Sequence, residues 1–213
     1  RSENFDMIDY NDAHGKILHT FEGHSAVIVD LKVDTEYAIS SAHDSSLYIW
    51  DIKKQRFVSS IFAHTTKVVC LDYSYTIDLI ASVDISGKFS YSSAIKRKFI
   101  RSIQLDYIPK QIMVSNLGYI LVFQETFVLG DVTTTIESYD LSQRKISTCK
   151  IPGSISSSCL CEFDDCSTYI CVSMSTMKVY MYCVYDLRRV ACSVVPSLVK
   201  SCTFSTERQM LFF

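Results

Sequence analysis

Residues 23–51 read GHSAVIVDLKVDTEYAISSAHDSSLYIWD. Gly23-His24 opens the stretch and Trp50-Asp51 closes it, twenty-six residues on, with Ser40 and Asp44 between them. Val27 to Val33 carries the period-two alternation of a half-buried strand, as Thr134 to Tyr139 does later, and no amphipathic run of helical period competes with it. Ser40, His24 and Asp44 are also the residue types of a hydrolytic triad. No Gly-x-Ser-x-Gly elbow surrounds the serine, so nothing in the local sequence would present its hydroxyl to a substrate.

In residue type and spacing the stretch resembles a WD40 repeat, in which one blade of a β-propeller is a four-stranded antiparallel sheet. The resemblance implies a structural tetrad. His24 would bond Ser40, Asp44 would hold the imidazole and the backbone near Gly23, and the Ser40 hydroxyl would meet the Trp50 indole N–H. Such a network satisfies polar groups that blade packing buries.

The pattern repeats. Ala63-His64 follows Gly23-His24 by forty residues, within the usual blade period of about 40–45 residues. Trp50-Asp51-Ile52 is echoed by Tyr139-Asp140-Leu141 and by Tyr185-Asp186-Leu187, and a short basic turn follows each. Pro109, Pro152 and Pro196 are spaced by forty-three and forty-four residues. Proline cannot donate to a central ladder, so one per repeat marks the same crossing between blades. The signature fades along the chain. In the second unit Ser92 stands at the tryptophan position and Ser86 at the turn aspartate, so that blade is expected to lack the polar network. Units three and four lack Gly-His and put tyrosine for tryptophan, which implies blades held by apolar packing.

The fold class expected is therefore all-β, a WD40-type β-propeller with about five blades' worth of a larger, seven-bladed ring. Residues 1–22 would supply strands c and d of a preceding blade, with Tyr10 at the tryptophan position. Residues 23–62, 63–105, 107–150 and 152–194 would be blades, and 198–213 the start of another. Open sheets at both ends and Arg1 in place of an initiator methionine lead us to expect a piece of a longer protein, truncated at both ends.

Composition narrows the function classes. With 48% hydrophobic and 21% charged residues the chain can bury a full core. A net charge of −2 gives no general attraction to nucleic acid or acidic lipid. Lys96-Arg97-Lys98 with Arg101 reads as a solvated turn between strands c and d. No phosphate-binding glycine loop or His-Glu-x-x-His occurs, and Asp164-Asp165 suits a turn. Eight of nine cysteines follow residue 148, whereas all five histidines, including His14 and His19, lie in the first third. Without a Cys-x-x-Cys, this separation argues against a local zinc site, and the cysteines read as reduced, half-buried small hydrophobes. No cofactor, metal ligand, catalytic residue or small-molecule substrate is expected.

Glu36-Tyr37 before a serine-rich strand, Ile49-Trp50-Asp51, and a second unit opening on Ala63-His64 are similar to the C-terminal propeller of BEACH (beige/neurobeachin-type) proteins. That resemblance implies a cytoplasmic, non-catalytic protein-interaction scaffold in membrane trafficking, touching membrane only through its parent protein. The alternative is a substrate receptor of a ubiquitin ligase, suggested by Tyr185-Asp186-Leu187-Arg188. Partner contact is expected on the propeller face carrying His43 and Lys67. In the third unit strand b at Tyr119–Phe123 and strand c at Thr134–Tyr139 leave ten residues between them. These form either a hairpin turning at Gly130-Asp131 or a loop that offers Phe127 as an aromatic anchor.

Overall fold

A computed structural model describes residues 3–9, 16–163, 168–205, 207–208 and 210–213, with residues 3–9 and 16 as backbone only. Tyr10, His14, Asp164, Asp165 and Cys166 lie outside the described residues. Regular structure among the described residues is entirely strand, as the alternating, β-branched and aromatic sequence requires. The chain divides into two compact units, Arg1–Ile108 and Pro109–Phe213.

In the first unit β1 (Glu3–Asp9) pairs antiparallel with β2 (Lys16–His24). Two four-stranded antiparallel meanders follow. One is β3 (Ile28–Val33), β4 (Tyr37–Ala42), β5 (Leu47–Asp51) and β6 (Arg56–Ile61); the next is β7 (Val68–Ser74), β8 (Leu79–Asp84), β9 (Lys88–Ser93) and β10 (Lys98–Gln104). Ile39, Leu47, Ile49, Ile61, Val68, Leu71 and Ile80 form one apolar cluster spanning both sheets. Asp30 accepts the Leu71 N–H at 3.4 Å across them, and Lys32 lies 3.6 Å from Asp72.

The second unit repeats the plan. Its first sheet is β11 (Gln111–Val114), β12 (Ile120–Val128), β13 (Asp131–Tyr139) and β14 (Lys145–Pro152). The second is β15 (Ile155–Glu162), β16 (Thr168–Met174), β17 (Lys178–Cys183) and β18 (Arg189–Val194), and a short pair, β19 (Thr203–Ser205) with β20 (Met210–Phe212), comes last. Each of the four full sheets is a four-stranded antiparallel meander, the form of a propeller blade. Burial falls from the second strand outward: β4 and β8 are almost wholly buried, whereas β10 and β18 are largely exposed.

Register makes the blades comparable residue by residue. Each breaks its third-to-fourth-strand ladder at the same place, beside Trp50, Ser92, Tyr139 and Tyr182. Each turn after that break holds one non-glycine residue in the left-handed region, Gln55, Arg97, Gln143 or Leu187, at φ between 51° and 61°. This register corrects the reading of the fourth unit. Tyr182 occupies the tryptophan position, while Tyr185-Asp186-Leu187 forms the following turn with Tyr185 exposed. The motif comparison with ubiquitin-ligase adaptors rested on Tyr185, so it loses its aromatic residue.

Candidate protein-interaction surface

β2 ends on His24, β4 carries Ser40, the β4–β5 turn carries Asp44, and β5 carries Trp50. The first blade brings all four together. His24 Nδ1 is 3.0 Å from Asp44 Oδ2, and His24 Nε2 is 2.8 Å from Ser40 Oγ, which also accepts the Trp50 indole N–H at 2.8 Å. A carboxylate only accepts, so Nδ1 donates to Asp44. Asp44 takes further bonds from the Ser25 and Ser46 backbone N–H groups. Burial alone would raise its pKa. The Ser46 hydroxyl, the Ser25 N–H and His24 outweigh that and hold the carboxyl at about 2. The indole packs edge-on against Phe21 and Phe57, and a side chain at Gly23 would meet Tyr48 at 3.0 Å and Trp50 at 3.1 Å. Ser40 is fully buried, so a substrate carbonyl has no approach to its hydroxyl.

Residues 15–51 match the family described as WD domain, G-beta repeat. That match runs through β2 to the end of β5. A 72-residue stretch is 31% identical to the human protein NEDD1, covering 34% of this chain and 11% of that protein.

The second blade overturns the expectation that it lacks the network of the WD40 repeat. His64 Nε2 lies 2.7 Å from Ser82 Oγ and His64 Nδ1 lies 3.1 Å from Asp84 Oδ2. Asp84 sits at the register of Ala42, two residues before the place of Asp44, and its other oxygen takes the Ser86 and Lys88 N–H groups. The acid has moved along the strand end and still reaches the ring. Ser86, expected in place of the aspartate, donates to it. Only the indole is missing, and the Ser92 hydroxyl at its place is buried without a partner. In the fourth blade Ile151, Val172 and Tyr182 occupy the positions of His24, Ser40 and Trp50 within one apolar cluster, so packing replaces polarity there.

Beyond the tetrad, the blade ends that hold the second-to-third-strand turns expose a common frame. His43 N–H bonds Val27 C=O at 2.9 Å, and Ile85 N–H bonds Lys67 C=O at 2.9 Å, in matching registers. His43 and Lys67 are therefore exposed members of equivalent pairs. Sequence reading named one of each and missed Val27 and Ile85, both exposed apolar side chains whose signal was their place just outside a strand.

The third blade departs most from the repeat. β12 and β13 pair without interruption from Ile120↔Tyr139 to Val128↔Asp131, so the ten-residue gap is ladder and the hairpin reading has the right pairing. Its turn is Leu129-Gly130, not Gly130-Asp131. Both turn residues have positive φ, 52° and 92°, as a two-residue type I′ loop requires. Phe127 pairs through its backbone with Val132, yet its side chain is 73% exposed, as are Val128 at 64% and Leu129 completely. The base of the same hairpin is fixed. Glu125 binds Lys110 Nζ at 2.7 Å and the Ile155 N–H at 2.8 Å. Among groups able to hold a metal, Cys159, Cys171 and Cys202 come together in this second unit.

Proposed function

We propose that the chain is a non-catalytic protein-interaction scaffold that receives a partner protein at the turn-bearing ends of its blades, with the β12–β13 tip as the apolar anchor. One observation carries this reading: three consecutive apolar side chains, Phe127, Val128 and Leu129, stand exposed on a hairpin whose base is held by Glu125. Neither packing nor turn chemistry favours a leucine at Leu129. Left-handed backbone disfavours branched L side chains, and a type I′ turn favours asparagine there. Exposed aromatic and aliphatic anchors on a rigid base are what binding hot spots use. Affinity purification with the native protein and the Phe127→Ala variant checks it. Partners should be lost from the variant at unchanged melting temperature, and equal recovery by both proteins overturns the reading.

The narrower form is a BEACH-type cytoplasmic scaffold of membrane trafficking, its blades belonging to a ring of seven. Its support is the resemblance carried by Glu36-Tyr37, Ile49-Trp50-Asp51 and Ala63-His64. Reading the complete gene decides it: PH-like and BEACH domains encoded upstream are expected, and an unrelated upstream region removes the trafficking role while leaving the scaffold role standing. An activated-serine probe should leave Ser40 unlabelled in folded protein; labelling would overturn its structural role.

A further inference from the structure

Four cysteines of the second unit share one face of the β15–β18 sheet or press against it. Cys159 and Cys161 are two apart on β15, so their side chains leave the same face. Cys171 on β16 is the direct cross-strand neighbour of Cys159 and joins them there. Cys202 arrives from outside the sheet, in the segment that leads into β19, and is buried. The sulfur atoms of Cys159, Cys171 and Cys202 all lie within 4.8 Å of one another, and Cys159 touches Cys161 as well. Val179, Phe163, Val199, Phe204 and Leu211 enclose the group in apolar surface. All four cysteines are free thiols.

We propose that Cys159, Cys171 and Cys202 bind a zinc-class d10 metal ion as thiolates, clamping the β19–β20 pair onto the β15–β18 sheet. Sulfur atoms bound tetrahedrally at the usual Zn–S length of about 2.3 Å stand roughly 3.8 Å apart, so the three thiols need only side-chain adjustment to close on an ion. Soft thiolate sets select such ions over magnesium or calcium. Ser157 Oγ accepts the Cys202 backbone N–H at 2.9 Å, which leaves its own proton to donate to Cys202 Sγ at 3.2 Å. A hydroxyl so oriented stabilises sulfur as a metal ligand. Among the described residues, Cys161 beside Cys159 offers a further sulfur for a fourth position. On binding, each ligating thiol gives its proton to water and the ion takes its place. Sequence spacing hid the site, because Cys202 follows Cys171 by thirty-one residues and no pair has the Cys-x-x-Cys interval.

The test is titration of the reduced protein with Zn²⁺, and with Cd²⁺ followed by its ultraviolet thiolate-to-metal band. One ion per chain is expected, with a raised melting temperature that a chelator reverses. Cys202→Ser, outside the sheet, should weaken binding at least about a hundredfold, and Ser157→Ala by about 10–100-fold. Cys192→Ser, at an exposed cysteine, should change nothing. The far-ultraviolet spectrum of each metal-free variant shows whether it folds, and Cys202→Ala serves where Cys202→Ser does not. No charge-transfer band, undiminished affinity in folded Cys202 variants, or binding abolished equally by Cys192→Ser would overturn the assignment.

Discussion

Ser40 and Ser92 are both fully buried serines in equivalent sheets, and they differ in company. Ser40 has the Trp50 indole and the His24 ring; the Ser92 hydroxyl has no partner. Removing one member of a satisfied buried pair strands the other, whereas removing a stranded group costs little. Ser40→Ala or Trp50→Phe should therefore cost about 1–3 kcal/mol in chemical denaturation, and Ser92→Ala should be neutral or stabilising by about 1 kcal/mol. Titration offers a second check. Burial chiefly, opposed by Asp84, pushes the His64 pKa below its ordinary 6.5. The unfolded chain then binds a proton that the folded chain refuses, so stability is full above about pH 6.5 and falls as pH drops toward the folded value. His64→Gln should flatten that slope between about pH 7 and pH 5, and an unchanged slope in urea melts at the two pH values would refute the assignment. Asp44 acts further down. Its contribution is full above the ordinary 3.8 and disappears as pH falls to about 2. The His24 tetrad was legible because its residue types and intervals are distinctive. Asp84 was not, since position-by-position comparison assigns the acid's place to Ser86, while the ring's reach allows either origin.

At the scale of the element, the β12–β13 hairpin separates stability from recognition. Leu129→Asn places a residue tolerant of left-handed backbone at the turn and should stabilise the protein by up to about 1 kcal/mol. The same change removes an exposed apolar contact, so partner capture should weaken. A simultaneous loss of stability and capture would mean that Leu129 packs within the fold. Turns elsewhere grade by their surroundings. Gly87 has φ 81°, and a side chain there would meet Leu105 O at 2.6 Å, whereas one at Gly130 meets nothing within 4 Å. Gly87→Ala should cost about 1–3 kcal/mol or more and Gly130→Ala about 1 kcal/mol, read as shifts in melting temperature. The hairpin's length was hidden because Gln124-Glu125-Thr126 interrupts the apolar signal, although Glu125 is polar for a reason: it ties the hairpin to Lys110 and Ile155. Tyr185 misled for a simpler reason. A Tyr-Asp-Leu triplet echoes Trp-Asp-Ile, but the ladder break that defines the position falls three residues earlier.

For the molecule as a whole, repetition was the strongest message in the sequence, since alternation and blade spacing survive where individual signatures fade. The four sheets show why. Each can satisfy its second-strand position with a bonded serine or with buried valine, as Ser40, Ser82 and Val172 do. Charge gives the remaining expectation. The total is −2, and Lys96, Arg97, Lys98 and Arg101 are all exposed around one turn. Duplex DNA should show no retention of the protein even at about 50 mM salt, where phosphate contacts are strongest. Retention that weakens steeply with added salt would expose a basic surface the sequence did not reveal. Asp84 carries a last consequence, for how such blades diverge. Two sites two residues apart can each hold the acid that orients the buried imidazole, so a lineage can acquire the second before discarding the first. Order then decides survival: gain before loss keeps the ring paired through every generation, while loss before gain leaves it stranded in between.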